Sequence, residues 1–370
     1  MRIGIDARMM GTGEGIARYV EELIRNLMTL DQTNQYIILI DSKFSAEKFG
    51  AMPKNFRYEK VYSPYYSWLE QTRFIWELMQ LRLDMVHFAS FNVPIFYPGK
   101  FVVTIHDIIH HLYPGKKKKR FLHRQAYRLV FASAVNRAQK IMSVSEETKK
   151  AIIKTFGVKP EKIAVVCEGV NEDFSKRLSK SDVLKVKERY GITRPYLLFT
   201  GVWRQYKNLE RLAAAFDILK DSYGHDLELV LAGKIDPFYP EIKRAVLGIR
   251  HASSVRALGF VPDEDLVALY QGAEVFVLPS LVEGFGLIGV EAQAAGLAVA
   301  ASDIAVLREI LDEGAVYFDP KDSQKMAQVI NLVLRDGHLR DRLAAQSLIN
   351  IKKFNWQQTA QKTLEIYQSI

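Results

Sequence analysis

Short apolar runs alternate with amphipathic stretches along the whole chain. In the first half the runs are Ile3–Asp6, Tyr36–Ile40, Met85–Phe88, Phe101–Ile105, Ile141–Val144 and Ile163–Cys167. In the second half they are Tyr196–Thr200, Leu227–Ala232, Val255–Leu258, Val275–Leu278, Leu297–Ala301 and Val316–Phe318. Runs this short, separated by stretches of helical period, predict parallel sheets with helices on both faces. There are too many runs for one compact sheet, and they predict two sheets of about six strands each. The segment Gly169–Tyr190 is polar and charged, with no apolar period at its start, and predicts the crossing between domains. The expected organisation is an α/β domain over residues 1–170, a linker over 171–189 and a second α/β domain over 190–354. Residues 355–370 predict an amphipathic helix with Trp356, Ala360, Leu364 and Tyr367 on one face.

Composition adds bounds. A chain of 370 residues suits two or three domains. Its 48% hydrophobic and 25% charged residues are ordinary for a globular protein and exclude a disordered or fibrous one. The single Cys167 excludes a disulfide framework within the chain and a multi-cysteine metal site. Met1-Arg2 runs straight into the first strand without a signal-peptide pattern, and no apolar stretch approaches the ~20 residues that cross a bilayer. A cytoplasmic location is expected.

Charge is unevenly placed. Residues 1–170 hold 26 Lys/Arg and 16 Asp/Glu, whereas the remainder holds 25 and 26. The basic first half points to an anionic partner: a membrane surface, a phosphate-bearing acceptor or nucleic acid. Lys117, Arg120, Arg124 and Arg128 fall on one face of a helix, with Leu122, Ala126, Leu129, Val130 and Ser133 on another. Such a helix suits the inner face of a membrane, each cation contributing about 1 kcal/mol. It equally suits a solvated surface. Tyr65, Tyr66, Trp68, Phe74 and Trp76 make an aromatic segment that binds acceptor or lipid, or belongs to the core.

The loops at strand ends carry the candidate chemistry. In SLVEGFGLIGVEAQAAG, Glu283 and Glu291 flank a Gly-Phe-Gly turn at 284–286. Glu283 is expected on a loop where a strand feeds a helix, and Glu291 inside that helix. The N–H groups of such a helix start attract a phosphate, and carboxylates beside it suit sugar or ribose hydroxyls. The alternative is one glutamate capping the helix and one on its solvent face. Arg204 and Lys207 sit in the turn before a helix expected near Asn208, where two cations and a helix N-terminus bind a diphosphate. Gly11, Gly13 and Gly15 follow the first strand and precede a helix expected near Ile16. The dinucleotide fingerprint wants glycine where Ile16 stands, and Asp41 comes later than its acidic residue should. A nicotinamide enzyme is thereby disfavoured. His106 closes the strand Phe101–Ile105 and either meets a sugar hydroxyl, shuttles a proton or is a satisfied half-buried histidine. A metal site is not expected: His110 and His111 lack the pattern of one, and no carboxylate pair is expected on a donor phosphate.

Together these segments resemble the retaining glycosyltransferases of family 4, which have the GT-B architecture. The resemblance rests on RIGIDAR with the glycine loop at 11–15 and IARY, and on TIHD at 104–107 and SVSEET at 143–148. It continues with TGVWRQYKN at 200–208, LVEGFGLIGVEAQAAG at 281–296 and YFDP at 317–320. It implies an α/β fold of two Rossmann-like domains facing a cleft, with the last helix crossing back to the first domain. It implies an acceptor bound in the first domain and a nucleotide-sugar in the second. Glu291 would hold the ribose hydroxyls and Glu283 the donor sugar. The backbone from Gly284 and Phe285 through Gly286 to Leu287 would meet sugar and phosphates. Lys207 matches the phosphate-binding lysine. The matching arginine usually follows the glycine at 201, where this chain has Val202, and Arg204 stands in for it. Gly15, with Gly13 beside it, would approach the diphosphate, His106 the donor sugar, and the loop Gly259–Pro262, with Val261, the base. Metal-independent transfer of a hexose, mannose from GDP-mannose, to a lipid-linked or polysaccharide acceptor is the implied activity. No cofactor besides the donor and no nucleic-acid partner are implied. A GT-B sugar-nucleotide epimerase and an inert nucleotide-binding module stand as alternatives.

Overall fold

The computed structural model describes residues 1–11, 15–43, 52–113 and 121–370. The chain divides into two compact units, Met1–Gly169 with Phe354–Ile370, and Val170–Lys353.

The first unit runs β1 (Arg2–Asp6), α1 (Gly15–Leu30), β2 (Gln35–Asp41), β3 (Phe56–Val61), α2 (Arg73–Gln80), β4 (Met85–Phe88) and β5 (Phe101–Ile105). It continues α3 (Ile109–Leu112), α4 (Phe121–Arg137), β6 (Lys140–Ser143), α5 (Glu146–Phe156) and β7 (Ile163–Val165). Its sheet is parallel, in the order β3-β2-β1-β4-β5-β6-β7. It has seven strands where about six were expected. The added strand is β3, whose FRYEKV carries charges at Arg57, Glu59 and Lys60 and lacks the apolar run of the others. An edge strand tolerates this because one side of it meets solvent.

The second unit runs α6 (Lys180–Arg189), β8 (Tyr196–Thr200), α7 (Leu209–Asp221), β9 (Glu228–Ala232), α8 (Pro240–Leu247), β10 (Val255–Gly259) and α9 (Asp263–Gly272). It continues β11 (Val275–Leu278), α10 (Leu287–Ala294), β12 (Val299–Ser302), α11 (Ala305–Leu311), β13 (Ala315–Phe318), α12 (Ser323–Arg335) and α13 (Gly337–Asn350). Its six parallel strands are ordered β10-β9-β8-β11-β12-β13. The stretch expected as a linker contains α6, capped by Ser179, which accepts from Asp182 N, and anchored by the buried Val186.

The last helix, α14 (Trp356–Gln368), belongs to the first unit and packs against α1. Trp356, Ala360, Leu364 and Tyr367 are all buried with Tyr19, Leu23 and Leu27 of α1. Its N-cap Asn355 accepts from the backbone N–H of Gln357 and Gln358. The basic stretch meets the structure only in part. Lys117 and Arg120 lie outside the described residues, as does Gly13. On α4, Arg124 is exposed and Arg128 half-buried. The apolar face differs from expectation: Leu129 is exposed, and Tyr127, Phe131, Ala134 and Val135 are buried instead.

Candidate active site

In an open parallel sheet, ligands bind beyond the carboxyl ends of the strands where the strand order reverses. In the second unit that point lies between β8 and β11. Lys207 and Arg204 follow β8; Glu283 and Glu291 follow β11. The reversal therefore brings together two segments about eighty residues apart in sequence.

Two backbone-directed bonds hold the two loops in register, and a third ties them to the loop after β13. Leu281 N donates to Tyr206 O across 2.8 Å. Asn208 Nδ2 donates to Pro279 O at 2.9 Å and Pro320 O at 2.7 Å. Asn208 is buried in the left-handed region, φ 59°, where a short amide side chain is tolerated better than a branched one. Against this frame Lys207 Nζ donates to Glu283 Oε1 at 2.6 Å, and Ser280 Oγ donates to the same oxygen at 2.6 Å. The pair is largely buried, which strengthens its attraction. Arg204 begins the turn that carries Lys207, and its Nε lies 3.5 Å from Asp236 Oδ2.

Glu283 does not cap α10. That helix starts after Gly286, whose φ of 90° is the left-handed region and whose side makes no cap bond. A Cβ at Gly286 would sit 2.7 Å from Leu307 Cδ2, so the turn needs glycine on two counts. Phe285 is buried and Leu287 opens α10. Glu291 is 1% exposed rather than on a solvent face. Its Oε2 accepts from Tyr270 OH at 3.1 Å, and the same hydroxyl lies 2.8 Å from Thr200 Oγ1 at the end of β8.

The floor between the strands is bare backbone. Gly201 and Gly233 directly follow β8 and β9, and Gly259 ends β10, all with positive φ. Gly233 N donates to Gly259 O at 2.6 Å, and a Cβ on Gly233 would meet Gly201 O at 2.0 Å. Val261 is buried just beyond Gly259, ahead of the N-cap Pro262 of α9.

The chain does carry one Asp-x-Asp, Asp263 with Asp265, contrary to the expected lack of a carboxylate pair. It occupies the first turn of α9, where acidic residues are favourable. Asp265 is buried and held by Arg189 at 2.6 Å and Tyr190 at 2.8 Å. Among the described residues no group of three or more His, Cys, Asp or Glu could hold a metal ion.

In the first unit His106 ends β5 and is half-buried. Its Nδ1 lies 2.8 Å from Glu168 Oε1 and its Nε2 2.9 Å from Ala89 O. Tyr19 stacks edge-on to it at 4.7 Å. Gly15 is exposed as the first residue of α1, with nothing within 4 Å of the position a Cβ would take.

Two further buried networks lie in the first unit, the first of them touching His106 through Tyr19. Tyr367 OH of α14 meets His87 Nδ1 at 2.6 Å, His87 Nε2 meets Thr104 Oγ1 at 2.8 Å, and Thr104 Oγ1 meets Tyr19 OH at 3.0 Å. Burial, with His106 nearby, pushes the His87 pKa down to about 3. At the β1 end, Arg8 donates to Asp6 at 2.8 Å and pairs with Glu70 at 2.9 Å, its guanidinium over the Phe74 ring at 3.7 Å. Burial raises the Glu70 pKa, with Arg8 opposing. This clamp fixes the aromatic segment: Phe74 is core, whereas Trp68 and Trp76 are 87% and 61% exposed. Sequence reasoning missed Glu168, Tyr270, Ser280 and Gly233. Gly233 directly follows β9 and Glu168 lies three residues past the end of β7, positions that signal ligand-facing loops; the other two gave no signal of their own.

The comparisons follow the same division. "Glycosyltransferase Family 4" matches residues 13–174, and "Glycosyl transferases group 1" matches residues 182–348. The chain belongs to the GT-B glycosyltransferases. It is 28% identical to the O-antigen chain mannosyltransferase B of Escherichia coli, over 95% of this chain and 92% of that protein. It is 28% identical to the serotype-specific mannosyltransferase WbdA of Escherichia coli over 72% of this chain, and the match spans about a third, 33%, of WbdA. Anabaena Alr3699/HepE in complex with UDP and glucose shares the fold, with TM-score 0.78 and 18% identity over 100% of this chain and 99% of that one. As a GT-B glycosyltransferase the chain handles a nucleotide-sugar donor and a glycan acceptor. No helix among the described residues is long and apolar enough to cross a membrane.

Proposed function

We propose that the chain transfers mannose from GDP-mannose, with retention of configuration and without a metal ion, to a hydroxyl of a lipid-linked or polysaccharide acceptor. The observation that carries the donor site is the Lys207–Glu283–Ser280 cluster at the strand-order reversal of the second sheet. Its cation and carboxylate suit the two ends of a sugar diphosphate. Lys207 and Arg204 take the diphosphate, Glu283 the sugar hydroxyls, and Glu291 the ribose. The backbone from Gly284 through Leu287 lines the sugar and phosphates, Val261 the base, and Gly13 and Gly15 the diphosphate. His106 meets the donor sugar.

The acceptor hydroxyl attacks the anomeric carbon from the face that the diphosphate leaves. The bond to the leaving oxygen breaks, and the acceptor proton passes to a departing phosphate oxygen. Negative charge grows on that diphosphate, and fixed cations in a partly dried site stabilise it most where it grows most. Mannose is favoured by the mannosyltransferase names of the relatives. A peripheral position on an anionic membrane is supported by the exposed Trp68, Trp76 and Tyr66 and the exposed Arg124, with Arg128, Lys117 and Arg120 adding charge.

The test is a transfer assay with GDP-mannose and UDP-glucose on lipid-linked glycan acceptors, in EDTA. The product's anomeric configuration is read by NMR. An α-mannosyl product supports the proposal. Transfer from UDP-glucose alone, an inverted product, or loss of activity in EDTA would each remove the corresponding part of it.

A further inference from the structure

The first sheet has a strand-order reversal of its own, between β1 and β4. In an open parallel sheet that is a second place for a ligand. The loop after β3 crosses the ends of β2 and β1 to reach it. There Arg8 Nη1 donates to Ser63 O at 3.1 Å, and Tyr65 OH bonds Ser90 Oγ in the loop after β4. That loop is tied in turn to the one after β5, with Ala89 O 2.9 Å from His106 Nε2. Tyr66, Phe91 and Asp107 each directly follow a tied residue, so two rings and a carboxylate converge at this edge.

The rings pack into one ledge. Tyr66 lies 4.4 Å from Tyr65 and 6.1 Å from Phe91, and Phe91 lies 5.1 Å from the buried Tyr127. Burial raises the Tyr127 pKa, and Asp107 and Tyr66 raise it further, which places both near its hydroxyl. Asp107 Oδ1 accepts from Ile109 N at 2.7 Å, so the turn holds the carboxylate in place. Tyr66 is 52% exposed and sits at φ 59°, where a bulky residue is strained. Such strain persists only where the surroundings hold it, and it gathers at ligand clamps. Here the buried Arg8–Glu70 pair holds it, with Asn92 Nδ2 donating to both Glu70 oxygens at 2.6 and 2.7 Å.

A pyranose has a face of C–H groups and a rim of hydroxyls. The face suits an aromatic ring, and the rim suits a carboxylate. We propose that Tyr66, Phe91 and Asp107 form the sugar subsite for the glycan acceptor, with Tyr66 under a hexopyranose ring and Asp107 on its hydroxyls. The inference rests on the proposed transfer to a glycan, and it names the residues that recognise the acceptor's sugar.

The test uses the full chain with α-mannobiose and the methyl glycosides of mannose, galactose and N-acetylglucosamine as probes, titrated by NMR. Tyr66→Asn removes the ring but tolerates the left-handed backbone, and Asp107→Asn keeps an oxygen for Ile109 N. Each is expected to bind the parent's preferred probe roughly 10-fold more weakly, and to raise KM for the acceptor as much. Tyr66→Phe should keep the parent's affinity. The midpoint shift with GDP should match the parent's in all three, which a misfolded variant would not show. Parent affinity in both Asn variants would overturn the inference, and so would a parent that binds none of the probes. A Tyr66→Asn variant that loses only its binding to anionic lipid vesicles would overturn it too, since the ring would then be a membrane contact. If a probe binds at this ledge and no sugar is transferred, the proposed function fails and the subsite stands.

Discussion

Lys207 Nζ and Glu283 Oε1 lie 2.6 Å apart, and Ser280 Oγ donates to the same carboxylate oxygen. Two residues assigned to opposite ends of one ligand thus hold each other before it arrives. Lys207→Ala and Glu283→Ala should each lower turnover by roughly 10²–10³-fold, the loss typical of a preorganised electrostatic group. Each also strands a largely buried charge, at about 1–3 kcal/mol. The double change Lys207→Met with Glu283→Gln should recover most of that stability and none of the activity. Urea unfolding beside initial rates checks this, and near-parent turnover in either single variant would count against the site.

The glycine floor gives a ranking. A Cβ on Gly233, at φ 149°, meets the backbone oxygen of Gly201 at 2.0 Å, and backbone cannot swing aside. A Cβ on Gly286, at φ 90°, meets a Leu307 methyl at 2.7 Å, which can rotate. Gly233→Ala should therefore cost more than about 3 kcal/mol or fail to fold, and Gly286→Ala about 1–3 kcal/mol. Denaturant midpoints of the two variants check the order; equal losses would contradict it.

His87 makes stability depend on pH. Its folded pKa, about 3, lies below the ordinary 6.5, so between these values the unfolded chain binds a proton that the folded one does not. Stability is then full above pH 6.5 and falls as pH drops toward 3, by up to about 1.4 kcal/mol per pH unit from this one group. Tyr367→Phe removes the hydroxyl on Nδ1 and should cost about 1–3 kcal/mol at neutral pH. Unfolding free energies between pH 5 and 8 test both. A flat profile in this window for the parent would exclude the His87 contribution.

Much of this was legible in the sequence, because buried parallel strands read as continuous apolar runs and glycine-rich turns mark where they feed helices. Glu283 on its loop, Glu291 inside α10 and the face of α14 all follow from such local signals. β3 was hidden because an edge strand with Arg57, Glu59 and Lys60 has no apolar run. The pairings were hidden for another reason. His106 meets Glu168 across 62 residues and His87 meets Tyr367 across 280, and neither strand-end periodicity nor local motif encodes which loops the sheet order brings together. The Arg8–Glu70 clamp is hidden likewise, so the aromatic segment could not be divided into the buried Phe74 and the exposed tryptophans from sequence.

The central claim is a donor site for a nucleoside diphosphate-sugar in the second unit. The most direct test is thermal unfolding of the intact chain with GDP, UDP, dTDP or NAD, each with and without EDTA. A ligand at a hundred times its Kd adds about 2.7 kcal/mol to the stability of the state it binds. GDP should raise the midpoint by several degrees, unchanged by EDTA, and Lys207→Ala should abolish the shift. A shift with NAD alone, or with no nucleotide at all, would contradict the account.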